Sequence, residues 1–193
     1  MTITIRNAGP DALPLYAQVP IAFRVESVFR VELIEGGLGG ILLREERVAP
    51  YIKDYDTYGE DRPADWPQQF DVRNWGFFLA FDGDRSVGGA AVAFNTGGVH
   101  MLEGRGDLSV LWDIRVHPDF RGQGVGARLL WRAAEWSRER GCKQMKIETQ
   151  NVNVSACRFY AAQGCRLGRI DRYGYAGNLA VAHEVMLVWY LDL

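Results

Sequence analysis

The feature that most constrains this 193-residue chain is a glycine-rich loop between a strand and a helix. The apolar run 110–116 predicts a strand, and Pro118 ends it because proline has no N–H for a ladder. The helical pattern begins at Ala127, directly after the loop Arg121-Gly122-Gln123-Gly124-Val125-Gly126. Backbone N–H groups at a helix N-terminus, with no Cβ in the way, favour an anionic ligand. The sequence therefore predicts a strand, a pyrophosphate cradle and a helix.

Antiparallel strands are predicted before the loop, and one βα unit is predicted after it. The strand Trp75–Phe81, the turn at Asp82–Asp84 and the return strand Ser86–Phe94 form a predicted hairpin, in which Gly88-Gly89 indicates close packing or a bulge. A helix separates run 110–116 from the next strand, so the two are expected to be parallel. The remaining predicted elements are a strand Thr2–Arg6, a helix from Ala12 capped by Asp11, a strand Gln144–Thr149, a helix ending at Gln163, and strands Leu167–Tyr173 and Glu184–Leu191. Residues 20–48, with glycines at 36, 37, 39 and 40, have no clear periodicity and stay unassigned.

Composition excludes several classes of protein. Hydrophobic residues make up 48% and charged residues 24%, which is ordinary for a globular domain. The net charge of -2 argues against nucleic-acid binding, and no apolar run reaches the length of a membrane span. The start of the chain lacks a long apolar segment, and the three cysteines lack a metal-ligand spacing. We therefore expect a cytoplasmic protein with no secretory signal, no metal, and no nucleic-acid or membrane partner.

The stretch from Tyr51 to Asp71 is acidic and interleaved with aromatic residues. Its six acids (Asp54, Asp56, Glu60, Asp61, Asp65, Asp71) outnumber its two bases (Lys53, Arg62). One interpretation is a solvated loop, since charge runs usually face water. The other is a negatively charged rim that attracts a cationic substrate. On the second interpretation the candidate substrate-binding residues are Tyr51, Asp54, Tyr55 and Asp56, together with Trp112 on the central strand.

A glycine triplet alone also occurs in dinucleotide-binding folds, where it lies near the start of a long βα series. Here it lies two thirds of the way along the chain, and the segment Asn153–Tyr160 follows it. Together the two stretches resemble the GNAT superfamily of acetyl-CoA-dependent N-acetyltransferases, over about residues 75–193. Within that superfamily the chain resembles the streptothricin acetyltransferases in segments 50–55, 112–116, 148–160 and 188–191.

The resemblance implies an α/β (α+β) fold in which helices flank a mixed, mostly antiparallel sheet. Two central parallel strands, the run before the glycine loop and Gln144–Thr149, would splay apart at their carboxyl ends. It also implies a single domain over 1–193, with a variable acceptor-side part at about 1–74 and an acetyl-CoA-binding core at about 75–193.

The resemblance further implies acetyl-CoA as the cosubstrate. Its pantetheine would pair with the backbone of Ile114, Arg115 and Val116, like an added strand. The amides of the loop would hold the pyrophosphate, with the side chain of Arg121 adding positive charge. Asn153 would bond a pantetheine amide. The complete set of predicted cofactor-binding residues is Ile114, Arg115, Val116, Arg121, Gly122, Gln123, Gly124, Val125, Gly126, Ala127, Asn153, Ser155 and Tyr160.

Acetyl transfer to an amine needs a neutral amine, an oxyanion donor and a proton for the departing thiolate. Tyr160 matches the general acid of the family, and the alternative for it is an aromatic packed under the sheet. Asp113 or Glu148 would accept the amine proton, and for each carboxylate a salt bridge is the alternative. The oxyanion donor is expected to be a backbone N–H near Val116. His117 is expected to be a strand-end residue, and the cysteines Cys142, Cys157 and Cys165 small packing residues.

The expected function is direct transfer of an acetyl group to a primary amine of a small cationic molecule. Streptothricin, acetylated at its β-lysine moiety, is the expected acceptor, and antibiotic resistance the consequence. The alternatives are another amine (a polyamine, an aminoglycoside or a protein N-terminus) and a catalytically silent acyl-CoA-binding protein. The sequence leaves a homodimer open.

Overall fold

The computed structural model describes residues 2–57 and 62–193. The strands are β1 (Ile3–Ala8), β2 (Phe23–Ile34), β3 (Gly40–Lys53), β4 (Gly76–Asp82), β5 (Arg85–Ala93), β6 (Leu108–Val116), β7 (Gln144–Gln150), β8 (Arg166–Asp171) and β9 (Met186–Asp192). The α-helices are α1 (Leu13–Tyr16), α2 (Trp66–Gln69), α3 (Val125–Arg138) and α4 (Val154–Ala162). Within these described ranges, no helix is long and apolar enough to cross a membrane.

The chain divides into two compact units. The first comprises Met1–Ala22, Asp54–Ile147 and Leu191–Leu193, and the second comprises Phe23–Lys53 and Glu148–Tyr190. The single-domain organisation expected from the sequence stays a prediction.

The first unit is built on a mixed, mostly antiparallel sheet, as predicted. β1 pairs antiparallel with β4, β4 with β5, and β5 with β6, whereas β6 and β7 are parallel. Helix α3 lies against β4, β5 and β6. Its residues Leu129, Leu130 and Ala133 are completely buried, because apolar side chains at helical spacing share one face. This packing fixes the start of α3 near the end of β6.

Strand β6 pairs with β7 in its first half and has an irregularity next to this pairing. The parallel pairs join Leu108–Leu111 of β6 to Gln144–Ile147 of β7, and β6 continues to Val116. Directly after Leu111 the register between β5 and β6 shifts by one residue, which makes Trp112 the extra residue of a β-bulge. A bulge bends a strand and increases its local twist. The predicted parallel pairing of the two central strands is confirmed, and their splay stays a prediction.

The second unit contains the long antiparallel hairpin of β2 and β3, with 12 and 14 residues. It accounts for the part of the chain that the sequence left unassigned. Three glycines at its turn, Gly36, Gly37 and Gly40, have positive φ angles that favour glycine. The same unit contains α4 and the antiparallel pair β8 and β9.

The predicted cap at Asp11 is wrong. Asp11 lies inside a 3₁₀ turn, Pro10–Ala12, and the residue before that turn is Gly9. The α-helix begins only at Leu13, after Ala12, with no side-chain cap. Pro10 explains the difference, because proline suits the first position of a helical turn and starts it before the aspartate.

Candidate active site

The glycine loop forms an open cradle at the start of α3. Gly122 and Gly124 have φ angles of +74° and +81°, and a Cβ added at either would meet nothing within 4 Å. The first backbone bond of the helix runs from Arg128 N–H to the carbonyl of Gly124. The amides of Val125, Gly126 and Ala127 therefore precede the first intrahelical bond, where donors and the helix dipole favour an anion. The predicted cradle residues are adjacent, and their backbone suits a pyrophosphate.

The side chain of Arg121 ties this cradle to neighbouring backbone. Its Nε donates to the carbonyl of Val116 at 2.9 Å, and its Nη2 donates to the carbonyl of Ala22 at 2.9 Å. Partial burial lowers the pKa of Arg121 from its ordinary value. The guanidinium thus holds the end of β6 against the start of the loop. That the positive charge of Arg121 attracts a bound phosphate stays a prediction.

The end of β6 carries a buried ionic network. Arg115 donates to both oxygens of Asp113, at 3.0 and 2.8 Å, and to both oxygens of Asp56, at 3.0 and 3.1 Å. A fifth bond runs from Arg115 to the carbonyl of Val19 at 3.1 Å. Tyr16 donates its hydroxyl to Asp113 at 2.5 Å. The exposed fractions of the Arg115 and Asp113 side chains are 1% and 9%, so the pair lies out of water.

Electrostatics explain how this network tolerates burial. Burial would lower the pKa of Arg115, but the charge and hydrogen bonds of Asp113, with Asp56, raise it above its ordinary value. Burial, reinforced by the negative charge of Asp113, raises the pKa of Tyr16 well above its ordinary value. Tyr16 therefore stays a neutral donor and Arg115 stays charged. The salt-bridge alternative considered for Asp113 matches this geometry, whereas its role as the base stays a prediction.

Gly89 makes room for this network. A Cβ at Gly89 would lie 2.5 Å from Cε2 of Tyr16, so a larger residue would displace the ring. Gly88, beside it, would place a Cβ 3.0 Å from the backbone oxygen of Arg115. The close packing predicted at this glycine pair is confirmed. The candidate site residues taken from the sequence did not include Tyr16. The sequence signal for this residue was the glycine pair, because it predicts that a neighbour packs closely there.

In the second unit, Glu148 lies in a hydrogen-bonded chain of polar side chains. Tyr175 donates its hydroxyl to Oε1 of Glu148 at 2.8 Å and accepts from Nε2 of Gln150 at 2.9 Å. Glu148 and Gln150 share a face of β7, because alternate residues of a strand point to the same side. Sequence reasoning missed Tyr175, which lies in the connection between β8 and β9.

Helix α4 carries the other predicted residues of the second unit. Oδ1 of Asn153 accepts the backbone N–H of Ala156 at 3.1 Å, so this side chain caps the helix. Ser155 is exposed in the first turn, and Tyr160 is only 5% exposed. The roles proposed for Asn153, Ser155 and Tyr160 at a coenzyme stay predictions.

Several acids of the stretch Tyr51–Asp71 already have cationic partners. Asp56 binds Arg115, Asp71 binds Arg73 at 2.6 Å, and Asp65 lies 3.5 Å from Arg62. These pairs reduce the negative charge that the stretch presents. The carboxylate of Asp54 accepts the backbone N–H of Asp56 at 3.1 Å. Three other members of the stretch lie outside the described residues: Tyr58, Glu60 and Asp61.

The predicted aromatic contacts differ in exposure. Tyr51 is 39% exposed on β3, whereas Tyr55 is partly buried. The ring of Trp112 packs against Phe70 and Trp75, with centroids 5.1 and 5.4 Å away. Trp112 is thus part of the core of the first unit as well as a candidate substrate residue.

The remaining predicted residues have structural surroundings. Nδ1 of His117 accepts the backbone N–H of Asp119 at the turn that ends β6. Cys142, Cys157 and Cys165 are all buried, and burial raises the pKa of Cys157 to about 12 and that of Cys165 to about 11. Among the residues that the structure describes, no group of three or more His, Cys, Asp or Glu side chains is placed to hold a metal ion.

Comparison with known proteins gives the class. The model of the acetyltransferase (GNAT) family matches residues 41–165, well over half of the chain. The chain therefore belongs to the GNAT family, and it is an N-acetyltransferase.

Individual relatives point to one branch of the family. Streptothricin acetyltransferase A of Bacillus subtilis (strain 168) is 31% identical over 147 residues, which cover 76% of each chain. The streptothricin acetyltransferase of Escherichia coli is 30% identical over 171 residues, which cover 87% of this chain and 84% of that protein. A solved Bacillus anthracis str. Ames protein, provisionally described as a streptothricin acetyltransferase, is in complex with acetyl coenzyme A. It is 25% identical, with a TM-score of 0.78 over the whole of both chains.

Proposed function

We propose that this chain transfers the acetyl group of acetyl-CoA to a primary amine of streptothricin, and so protects a cell from that antibiotic. The observation that carries the proposal is the open cradle from Arg121 to Ala127, which lies at the start of α3, shortly after β6 ends at Val116. The named relatives support streptothricin as the acceptor. A cytoplasmic location belongs to the same proposal.

The first unit supplies the main binding groups for the coenzyme. The end of β6, Ile114–Val116, is the proposed partner of an extended pantetheine, which would pair with this backbone as an added strand. The amides from Gly122 to Ala127 bind the pyrophosphate. Glycines fit this role because the positive φ angles at Gly122 and Gly124 are ones that other residues rarely adopt. When bound, acetyl-CoA supplies an activated thioester.

The acceptor amine must lose a proton before it attacks. Of the two carboxylates expected to act as the base, Asp113 is held in a buried ion pair with Arg115 and also accepts from Tyr16. We therefore assign this step to Glu148. The carboxylate takes one proton from the ammonium and leaves a neutral amine. The amine nitrogen then attacks the acetyl carbonyl carbon, with a backbone N–H near Val116 stabilising the oxyanion.

Collapse of the tetrahedral intermediate breaks the carbon–sulfur bond. The thiolate that leaves needs a proton, and Tyr160 is the proposed donor. Its ring is buried on α4, in the helix that Asn153 caps. Asn153 and Ser155 are proposed contacts of the pantetheine arm. The nitrogen loses its second proton as the carbon–sulfur bond breaks, and this proton replaces the one that Tyr160 gives to the thiolate. The overall products are the acetylated amine, free coenzyme A and the proton that Glu148 took from the ammonium.

Thiol release from acetyl-CoA tests the proposal with a panel of amines. The panel contains streptothricin, a polyamine, an aminoglycoside and a peptide with a free N-terminus. We expect the highest kcat/KM with streptothricin. A higher kcat/KM with another amine would identify that amine as the acceptor, and the protein would still be an N-acetyltransferase. Acetyl-CoA binding without turnover on any amine would instead favour the silent acyl-CoA-binding alternative.

A further inference from the structure

The hydroxyl of Tyr175 has a fixed direction. A phenol has one proton to donate, and its oxygen accepts from donors. Because Nε2 of Gln150 donates to this oxygen at 2.9 Å, the single proton of Tyr175 is directed to Oε1 of Glu148, 2.8 Å away. Gln150 thereby orients Tyr175, and Tyr175 orients the carboxylate.

The loop that carries Tyr175 is held at both ends. At its start, the backbone N–H of Tyr173 donates to Asp171 at 3.0 Å. At its end, the backbone N–H of Val185 donates to Oδ1 of Asn151 at 2.8 Å, and Asn151 N–H donates back to the carbonyl of Val185 at 3.0 Å. Asn151 directly follows Gln150, so the same end of β7 contacts the loop twice.

A buried ion pair adds a third attachment. Glu184, next to Val185, binds Nζ of Lys53, and the exposed fractions of their side chains are 3% and 2%. Separating a buried pair leaves an uncompensated charge, so this contact strongly resists opening. A loop with such attachments holds a side chain in a defined place, whereas most surface loops do not.

We propose that Tyr175 is a positioning residue for Glu148, fixing the carboxylate that accepts the proton of the acceptor amine. The inference rests on the proposed function. In this role Tyr175 donates a hydrogen bond only, and the transferred proton moves from the ammonium to Glu148. A held carboxylate keeps the geometry for proton transfer in every turnover, whereas a rotating one does not.

Tyr175→Phe tests the proposal, since it removes the hydroxyl and keeps the ring. We expect kcat to fall about tenfold or more, the fold-change that follows from losing one hydrogen bond to a charged group. The KM for acetyl-CoA and the thermal midpoint should stay near those of the wild type. Tyr173→Phe is the matched control, because that ring is 75% exposed in the same loop, and its activity should not change.

A double-variant cycle separates positioning from a general structural role. In the background Glu148→Gln the carboxylate is gone, so adding Tyr175→Phe should lower kcat no further. Independent losses that multiply would overturn the proposal. An unchanged kcat in Tyr175→Phe would also overturn the proposal, as would an effect that is confined to a higher KM for the amine. Failure of the proposed function looks different, because the wild type itself would then acetylate no amine.

Discussion

Arg115→Met is the most informative single change, because it removes the cation from the buried network and keeps the length of the side chain. Five hydrogen bonds disappear, four of them to Asp113 and Asp56. The loss of the cation affects Asp113 most, because its side chain is only 9% exposed. The side chain of Asp56 is 25% exposed and has better access to water. The carboxylate of Asp113 would remain buried with only Tyr16 as its donor among the contacts described above.

The expected loss of stability follows from that buried carboxylate. Removing one partner of a buried ion pair typically destabilises a protein by about 3–5 kcal/mol. For a chain of this size, each kcal/mol lowers the thermal midpoint by about 2–4 °C, so the expected shift is roughly 6–20 °C. Thermal unfolding followed by circular dichroism, together with urea titration, measures both quantities.

Two further variants make this prediction refutable. Adding Asp113→Asn to Arg115→Met removes the buried charge and keeps an acceptor for Tyr16, so much of the lost stability should return. Arg73→Ala breaks an exposed pair with Asp71 and should leave the midpoint nearly unchanged. A loss below about 1 kcal/mol in Arg115→Met would show that the network is not a buried ion pair, since such values belong to exposed pairs.

Three other predictions concern the cradle, Tyr160 and the buried cysteines. Gly124→Val should abolish acetyl-CoA binding in calorimetry. Gly141→Val should retain it, because Gly141 has a similar positive φ of +77° and equally open surroundings but lies at the other end of α3. Equal losses of binding in the two variants would contradict the proposed pyrophosphate site. Tyr160→Phe should lower kcat at nearly unchanged acetyl-CoA affinity, and a parallel loss of both would make Tyr160 a packing residue. Burial raises the pKa values of Cys157 and Cys165 to about 12 and 11, and alkylation needs the thiolate. Iodoacetamide at pH 8 should therefore modify these two cysteines only after the protein unfolds. Rapid labelling of the native protein would contradict this.

The sequence predicted the central elements well because their local signals agree. The turn predicted at Asp82–Asp84 joins β4 and β5, as the hairpin prediction required. The place of the glycine loop was predictable for the same reason, since it lies in one continuous segment between a strand and a helix. Its role as a pyrophosphate cradle stays a prediction.

The hairpin of β2 and β3 was not predictable from periodicity. Leu33 and Ile41 face each other in its register, yet they are 38% and 51% exposed. Apolar residues on a half-exposed ribbon do not give the inside–outside alternation that marks a strand.

The side-chain networks were hidden for another reason. Asp56 precedes its partner Arg115 by 59 residues, and Tyr16 precedes Asp113 by 97. Tyr175 is 27 residues from Glu148 and lies in a segment without regular structure. Such contacts depend on tertiary packing, and no local pattern in the sequence marks them.

Mass spectrometry of streptothricin incubated with the protein and acetyl-CoA tests the central claim most directly. We expect a product that is heavier by one acetyl group and modified on a primary amine, formed in the same amount as free thiol and absent without the protein. Unmodified streptothricin under conditions where acetyl-CoA binds would contradict it.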